Sequence, residues 1–314
     1  MFASVQVTPW HWAGFLLFVL FFLALDLGVF HRHSHIVKFK EALGWSVVWV
    51  ILSFTFGLLA GPGLISGWER QDSVEFITGY IIELSLSMDN VFVIALIFAH
   101  FAVPDRYQHR VLFWGILGAL VMRGVMIWLG VELINRFEWL LIALGAFLVF
   151  SGLKMVFSKE KESDPEKNLA VRITRKFFPI STEFDGQKFV TRLNGRKALT
   201  PLALVLVLVE TTDLIFALDS IPAIFAVTTN SFIIFTSNVF AILGLRSLYF
   251  VLAGAIQYFR YLKFGLSIVL VFIGLKMVLV RYLHIPTPLS LGVVVLIIAG
   301  SILLSVKATQ SEAK

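Results

Sequence analysis

The sequence predicts an all-α fold, a polytopic membrane helix bundle of about nine transmembrane helices that contains an inverted three-helix repeat. The first observation is composition, because 58% of the 314 residues are hydrophobic and only 15% are charged. Soluble domains are about 45–50% apolar and about 25% charged, so this chain has too few charges to cover a soluble core. The other two observations are nine long apolar stretches and a set of short motifs that occur twice.

The apolar stretches have the length that a bilayer requires, since a membrane-spanning helix needs about 20 residues. The first follows "MFASVQVTPWHW", which has neither a preceding Lys or Arg nor a small-residue cleavage signature, so it predicts a membrane helix and not a removable signal peptide. We assign spans one to nine to residues 11–30, 44–65, 76–98, 111–131, 138–157, 200–226, 232–256, 262–282 and 288–306.

The distribution of basic residues predicts the orientation. Most of the 26 Lys and Arg residues lie in the loops after spans one, three, five and seven or in the C-terminal tail, and the opposite side holds Arg70, Arg136, Lys276 and Arg281. Cytoplasmic loops carry the excess of positive charge. We therefore expect the N-terminus outside and the C-terminus in the cytoplasm, and no nucleic-acid surface, because the basic residues are scattered over every inner loop.

One long polar segment, residues 158–199, interrupts the spans. It opens with "SKEKESDPEK", which is typical of a solvated linker. In "FDGQKFVTRLNGRKALT", Asn194-Gly195 stands between short alternating runs, which predicts a cytoplasmic β-hairpin.

Repeated motifs predict the duplication. "GLKMV" occurs at 152–156 and 274–278, "ILGA" at 116–119 matches "ILGL" at 242–245, and "ELSLSMDN" at 83–90 matches "DLIFALDS" at 213–220. Spans three to five then correspond to spans six to eight in inverted orientation, which is a transporter architecture with its site near the midplane. The predicted organisation is 1–75 for the first two spans, 76–157 for repeat one, 158–199 for the loop, 200–283 for repeat two and 284–314 for the ninth helix and tail.

Carboxylates inside the spans predict a cation pathway. One carboxylate at the bilayer centre costs roughly 2.5–3.5 kcal/mol and by default marks an ion or proton route. Two arginines within spans, Arg123 and Arg246, are too few to neutralise the acids, and we expect both to be structural counter-ions. The acids are Glu83, Asp89, Glu210, Asp213 and Asp219, with Asp26 as a supporting sixth.

The donor types favour a hard divalent cation. Carboxylates, the Asn90 amide and hydroxyls such as Ser220 suit Mn²⁺, Ca²⁺ or Mg²⁺. Met88 is interpreted as packing. A transition-metal site at "HRHSHI", with His31, His33 and His35, is a weaker alternative to a basic inner loop.

Pro222 and the six-residue spacing of the acids predict the site's geometry. Pro222 should kink or open the helix beside Asp219, because it cannot donate to the carbonyl of Leu218. Residues six apart on a helix lie about 120° and about 9 Å apart, so we expect two stacked pairs drawn from antiparallel helices. The pairs are Glu83 with Asp219 and Asp89 with Asp213, and Glu210 lies one turn nearer the cytoplasm.

These stretches resemble the TerC/Alx family of bacterial integral membrane proteins. The resemblance is carried by "ELSLSMDNVFV", by "ALTPLALVLVLVETTDLIFALDSIPAIFAVTTNSFIIFTSNVFAILGLRSLYFVLAG" and by "LKFGLSIVLVFIGLKM". It implies manganese export across the bacterial inner membrane, with links to tellurite resistance. By position, it also implies metal ligands at Glu83, Asp89, Asn90, Glu210, Asp213 and Asp219. The Alx branch tends to have Lys after the Glu and Ala-Val before the Asp of the first motif, so the subfamily stays open.

The leading hypothesis is a proton-coupled exporter of a divalent cation, with Mn²⁺ as the transported ion. We expect no resident cofactor. The lipid bilayer surrounds the protein in this hypothesis, and no protein partner is defined. The alternative is a non-transporting membrane scaffold that serves metal delivery or stress responses through residues 158–199. We expect no enzyme, because the sequence has no H-E-x-x-H, G-x-S-x-G or phosphate-binding glycine loop.

Overall fold

The computed structural model describes residues 7–25, 39–137, 139–157, 168–193, 195–253, 261–280, 282–283 and 285–312. Apart from one hairpin and short connections, these residues are helical. The helices are α1 (Pro9–Leu25), α2 (Phe39–Thr55), α3 (Gly61–Leu64), α4 (Arg70–His100), α5 (Asp105–Arg136), α6 (Trp139–Phe157), α7 (Leu169–Phe177), α8 (Pro201–Phe225), α9 (Ser231–Ala253), α10 (Leu262–Val278) and α11 (Thr287–Glu312). Asp26, His31, His33 and His35 lie outside the described residues.

Seven helical segments in the described part of the chain are long and apolar enough to cross a membrane. A π-helical turn, Phe56–Ala60, joins α2 to α3, so that Phe39–Leu64 forms one of them. The others are α4, α5, α6, α8, α9 and α11. α1 and α10 have 17 residues each, about 26 Å at 1.5 Å per residue. The membrane helix bundle is confirmed, while the count of nine crossings and the orientation stay predictions.

The polar segment contains a helix that the sequence analysis did not predict. α7 begins after Asn168, whose Oδ1 accepts a hydrogen bond of 2.8 Å from the amide of Ala170 and so caps the first turn. The predicted hairpin pairs β1 (Val190–Leu193) with β2 (Arg196–Leu199) in antiparallel register. Gly195 has a φ of 78° at the turn, a conformation that glycine adopts without a Cβ clash. The "SKEKESDPEK" linker and Asn194 are outside the described residues.

A polar contact orders the approach to the hairpin. The Oδ2 atom of Asp185 accepts hydrogen bonds from the hydroxyl of Thr191 at 2.8 Å and from the ammonium group of Lys188 at 3.2 Å. These two donors favour the ionised carboxylate and lower the pKa of Asp185.

The apolar core consists of three clusters of buried side chains. One joins α1, α4, α5 and α9. Another joins the end of α4 and the start of α5 to α7, α8 and the end of α9. The third joins α6, α10 and α11 to α4, α5, α8 and α9. Along α4, α5, α8 and α9, polar residues occupy the points where one cluster gives way to the next. Those residues are Glu83, Arg123, Asp213 and Asn238.

The helices of the repeated "GLKMV" motif pack directly on each other. A Cβ at Gly274 would lie 2.6 Å from the carbonyl oxygen of Gly145, and one at Gly152 would lie 2.8 Å from that of Ser267. Because positions 145 and 267 are separated by the same 122 residues as 152 and 274, α6 and α10 cross antiparallel about a local two-fold axis. An inverted duplication predicts this crossing, and the duplication itself stays a prediction.

Of the two alternatives for Pro222, a kinked helix and an opened one, the structure does not show the opening. α8 is unbroken from Pro201 to Phe225, and the carbonyl of Pro222 accepts the amide of Ala226 at 3.3 Å. The ring of Pro222 still deprives the Leu218 carbonyl of its usual donor, and the helix continues on both sides of it.

Candidate functional site

A buried arginine, Arg123 of α5, joins carboxylates from two other helices. Its Nη1 forms an ion pair with Glu83 of α4. Its Nε and Nη2 donate to the two oxygens of Asp213 of α8 over 3.2 and 2.8 Å. This is a bidentate arginine–carboxylate pair, the geometry in which a guanidinium binds most specifically. Because the side chain of Arg123 is 2% exposed, its charge needs both partners to offset the cost of leaving water.

Asn238 of α9 completes this arrangement, which we call the Arg123 network and define as Glu83, Arg123, Asp213 and Asn238. The amide nitrogen of Asn238 donates to Oε2 of Glu83 at 2.9 Å, and its oxygen accepts from Nη1 of Arg123 at 3.3 Å. Asn238 was missed by the sequence analysis. The sequence signal that could have identified it is the polar run Thr236-Ser237-Asn238 in the middle of an apolar span. All three of these residues are buried.

Asn90 of α4 connects the network to a neighbouring cleft. Its Nδ2 donates to Oδ1 of Asp213 at 3.3 Å. This fixes the amide orientation, because an ionised carboxylate only accepts hydrogen bonds. The Oδ1 atom of Asn90 is consequently turned away from Asp213, and it is buried with no hydrogen-bond partner in the part of the chain that the structure describes.

The cleft lies between α4, α6, α8 and α10. Asp89 and Asp219 both line it and are half-buried. Asp219 accepts a hydrogen bond of 2.7 Å from the hydroxyl of Ser151 on α6. The remaining lining residues are Glu83, Leu86, Ser87, Asn90, Met155, Phe216, Ser220 and Leu270.

Six of the residues that line the cleft carry a side-chain oxygen: Glu83, Ser87, Asp89, Asn90, Asp219 and Ser220. Glu83 is already bound by Arg123 and by the hydroxyl of Ser87 at 3.2 Å, so the candidate ligands are Asp89, Asn90, Asp219 and Ser220. Ser220 is also 3.5 Å from Nη1 of Arg123. Among the residues that the structure describes, no group of three or more His, Cys, Asp or Glu side chains is close enough to hold a metal ion. A cation in this cleft would depend on neutral oxygens and water as well as on the two aspartates.

Two of the residues predicted for the site, Glu210 and Arg246, lie away from the cleft. The carboxylate of Glu210 packs against Gly118 of α5, so tightly that a Cβ at position 118 would overlap it. Arg246 is 3.1 Å from Nε2 of His109. Neither side chain lines the cleft.

The predicted layering of the carboxylates also differs from the structure. Arg123 contacts both Glu83 and Asp213, two residues that the spacing of the acids predicts in different pairs. Glu83 and Asp219, which were expected to be level, do line the same cleft. The six-residue spacing of the acids carries no information about the guanidinium, which contacts two of them at once.

The comparison with known proteins identifies the relatives of this architecture. Residues 68–313 match the family described as "Integral membrane protein TerC family". The chain belongs to the TerC family. This match covers the whole of the Arg123 network and the cleft.

Relatives of this TerC-family chain are similar over nearly their full length. The "Uncharacterized membrane protein STKORF319" of Myxococcus xanthus is 52% identical over 298 residues, which cover 95% of this chain and 92% of the relative. The protein of Escherichia coli (strain K12) named "Putative membrane-bound redox modulator Alx" is 48% identical over 292 residues, 91% of each chain. No solved structure matches this chain.

Proposed function

We propose that this TerC-family protein exports a divalent cation from the cytoplasm, with Mn²⁺ as the first substrate to test. The cleft beside the Arg123 network would bind the cation. In this proposal the protein lies in the bacterial inner membrane with its N-terminus outside and its C-terminus in the cytoplasm, as the distribution of basic residues predicts.

The observation that carries the proposal is the buried Oδ1 atom of Asn90, which has no hydrogen-bond partner among the described residues. A buried acceptor without a donor costs roughly 1–3 kcal/mol, and a cation would remove that cost. The two aspartates that line the same cleft, Asp89 and Asp219, supply the negative charge that a dication needs.

Each residue of the site has a role that follows from its contacts. Asp89 and Asp219 would be the charged ligands, and Asn90 and Ser220 the neutral ones. Arg123 would not contact the cation. Its contacts with Asp213 fix the carboxylate to which the Asn90 amide nitrogen donates, and this leaves Oδ1 of Asn90 without a donor.

The donor set favours Mn²⁺ among the candidates. Oxygen ligands suit Mg²⁺, Ca²⁺ and Mn²⁺ alike. The cleft is also lined by Met155, whose thioether is a soft donor, and hard Mg²⁺ and Ca²⁺ gain less from sulfur than a transition metal does. The sequence contains no cysteine, so no thiolate site competes for the metal.

Protons are the proposed counter-substrate. When the cation leaves, Asp89 and Asp219 would bind protons in its place, and the cycle would exchange metal for protons across the membrane.

The printed name of the Alx relatives describes a redox modulator. Thiol–disulfide exchange is not open to this chain, because it has no cysteine. A change in the cytoplasmic content of a redox-active metal would give a redox effect without a thiol, and metal export supplies such a change.

Mn²⁺ flux in proteoliposomes tests the proposal. Asp89→Asn and Asp219→Asn should each reduce flux at least tenfold while the protein stays folded, because an amide keeps the shape and loses the charge. Asp185→Asn is the matched control, since it removes an exposed carboxylate near the hairpin, and it should leave flux unchanged. Parallel measurements with Ca²⁺, Mg²⁺ and Zn²⁺ test the substrate, and a pH-sensitive dye inside the vesicles tests the exchange for protons.

The flux assay, together with metal resistance measured in cells, separates transport from the scaffold alternative. Near-normal Mn²⁺ flux in Asp219→Asn would refute the site, and flux of another metal without Mn²⁺ would refute the substrate. If no metal moves through the wild-type protein, and deletion of residues 158–199 abolishes metal resistance in cells while neutral substitutions at the acids do not, the chain is a scaffold.

A further inference from the structure

The short helix α7 carries an exposed apolar row outside the membrane-spanning helices. Leu169, Ile173 and Phe177 are four residues apart, so they occupy an arc of about 80° on one side of the helix. All three are exposed, Leu169 by 71% and Phe177 by 70%, and Phe178 extends the row just beyond the helix. Large apolar side chains exposed together in this way mark a surface that something covers.

The opposite side of α7 already has a partner. Val171 lies about 160° from the middle of the apolar arc and is fully buried. It belongs to the same apolar cluster as Leu202 and Val205, which lie in the first turns of α8. Because α8 is an apolar span that begins at Pro201, α7 lies at the level where that span begins, with its apolar row directed away from the protein.

A row of basic residues borders the apolar row. Arg172 and Lys176 are also four apart and lie next to Leu169 around the helix. Both are exposed. An apolar face bordered by basic residues is the pattern of helices that lie in the plane of a membrane interface, where long basic side chains reach the headgroups.

We propose that α7 is an interfacial helix that inserts Leu169, Ile173 and Phe177 into the adjacent membrane leaflet and binds anionic lipid headgroups through Arg172 and Lys176. The occupant is the lipid surface because the helix stands beside the start of a membrane span and its charges are complementary to acidic headgroups. This surface is separate from the cleft and does not depend on what the protein transports.

Site-directed spin labelling tests the insertion. No native cysteine has to be replaced first, because the sequence contains none. Ile173→Cys and Phe177→Cys, made one at a time, place a nitroxide label in the apolar row. Arg192→Cys places the control label on the exposed face of the hairpin. The protein is reconstituted in vesicles of phosphatidylcholine, or of phosphatidylcholine and phosphatidylglycerol mixed three to one. Collisions of each label with oxygen, which concentrates in lipid, and with a water-soluble nickel chelate are compared.

The labels at 173 and 177 should show an oxygen-to-nickel accessibility ratio at least threefold above that at 192 in the mixed vesicles. Greater access to nickel at both positions would overturn the insertion. Shielding of both positions from both reagents would also overturn it, because a protein surface would then cover the row.

Two double variants that remove the same charge test whether Arg172 and Lys176 bind anionic headgroups. Arg172→Gln combined with Lys176→Gln should lower the ratio at position 173 in the mixed vesicles to its value in phosphatidylcholine alone. Arg192→Gln combined with Arg196→Gln removes the same charge from the hairpin and should leave the ratio unchanged. Equal effects of the two double variants, or no effect of either, would overturn the assignment of Arg172 and Lys176 to anionic headgroups.

Discussion

The Nη2 atom of Arg123 lies 2.8 Å from Oδ1 of Asp213, and both residues are buried where α4, α5, α8 and α9 meet. The same guanidinium contacts Glu83, so one positive charge serves two carboxylates. Removing one partner of such a group is costly, because the other charges stay buried without compensation.

We predict that Arg123→Gln lowers the free energy of unfolding by about 3–5 kcal/mol. Glu83 and Asp213 would lose their counter-ion while remaining in the core. Thermal unfolding of purified protein in detergent measures the loss, with Arg192→Gln on the exposed strand as the control that should change little. An Arg123→Gln protein as stable as the control would show that water or protons already neutralise these acids.

Aspartate substitutions on α8 should separate stability from transport. Asp213→Asn removes one charged acceptor of Arg123 and should lower the unfolding temperature. Asp219→Asn should leave it nearly unchanged, because the hydroxyl of Ser151 can donate to the amide oxygen as it does to the carboxylate. The same unfolding assay compares the two variants, and an equal loss in both would place Asp219 in the structural network.

Asn90→Ala should weaken metal transport less than Asp219→Asn does. A neutral oxygen contributes less to the binding of a dication than a carboxylate, so the substrate concentration for half-maximal Mn²⁺ flux should rise several-fold while some flux remains. Complete loss of flux in Asn90→Ala, with a normal unfolding temperature, would contradict this ranking.

Gly274→Ala should destabilise the crossing of α6 and α10 by about 1–3 kcal/mol. Its Cβ would lie 2.6 Å from the carbonyl oxygen of Gly145, and backbone atoms cannot move aside as a flexible side chain can. Gly300→Ala on α11 is the matched control, because a Cβ there has nothing within 4 Å, and alanine is the better helix former. Equal unfolding temperatures for the two variants would show that the crossing is looser than described.

The loop before the hairpin should lose protection at acidic pH. The folded state lowers the pKa of Asp185 through its bonds to Thr191 and Lys188. The stabilisation is therefore complete above the ordinary carboxyl pKa of about 4 and is lost as the pH falls through the lower folded value. Hydrogen exchange of residues 185–191, corrected for intrinsic rates, should become faster over this range in the wild type. In Asp185→Asn it should not depend on pH, and a persistent pH dependence there would implicate another group.

Periodicity and composition were sufficient for the large elements. A long and predominantly apolar stretch such as residues 200–226 has few alternatives to a membrane helix, and Asn194-Gly195 indicated the hairpin turn. α7 was missed because nine residues with three charges do not resemble a span, and its helix depends on the Asn168 cap and on Val171 packing against α8.

The site was harder to predict, because it depends on how each helix is rotated about its own axis. The spacing of Glu83 and Asp89 gives their angle on α4, but a helix that is apolar on all sides carries little signal for which face meets a neighbour. The pairing of Arg123 with Glu83 and Asp213, and the part played by Asn238, follow from those rotations. Asp89, Asn90 and Asp219 nevertheless line one cleft, as their repeated motifs suggested.

The Arg123 network also determines which helices can separate at a low cost in free energy. It links α4, α5, α8 and α9 through charged and amide contacts in the core. Moving any one of these helices away would leave a buried charged group without one of its partners. The opposite wall of the cleft, where Met155 and Leu270 stand on α6 and α10, is attached to the acids by the hydrogen bond from Ser151 to Asp219. Since α6 and α10 are interlocked at Gly145, Gly152 and Gly274, any opening of the cleft on their side would have to move the two helices as one unit and break their apolar contacts with α5 and α8.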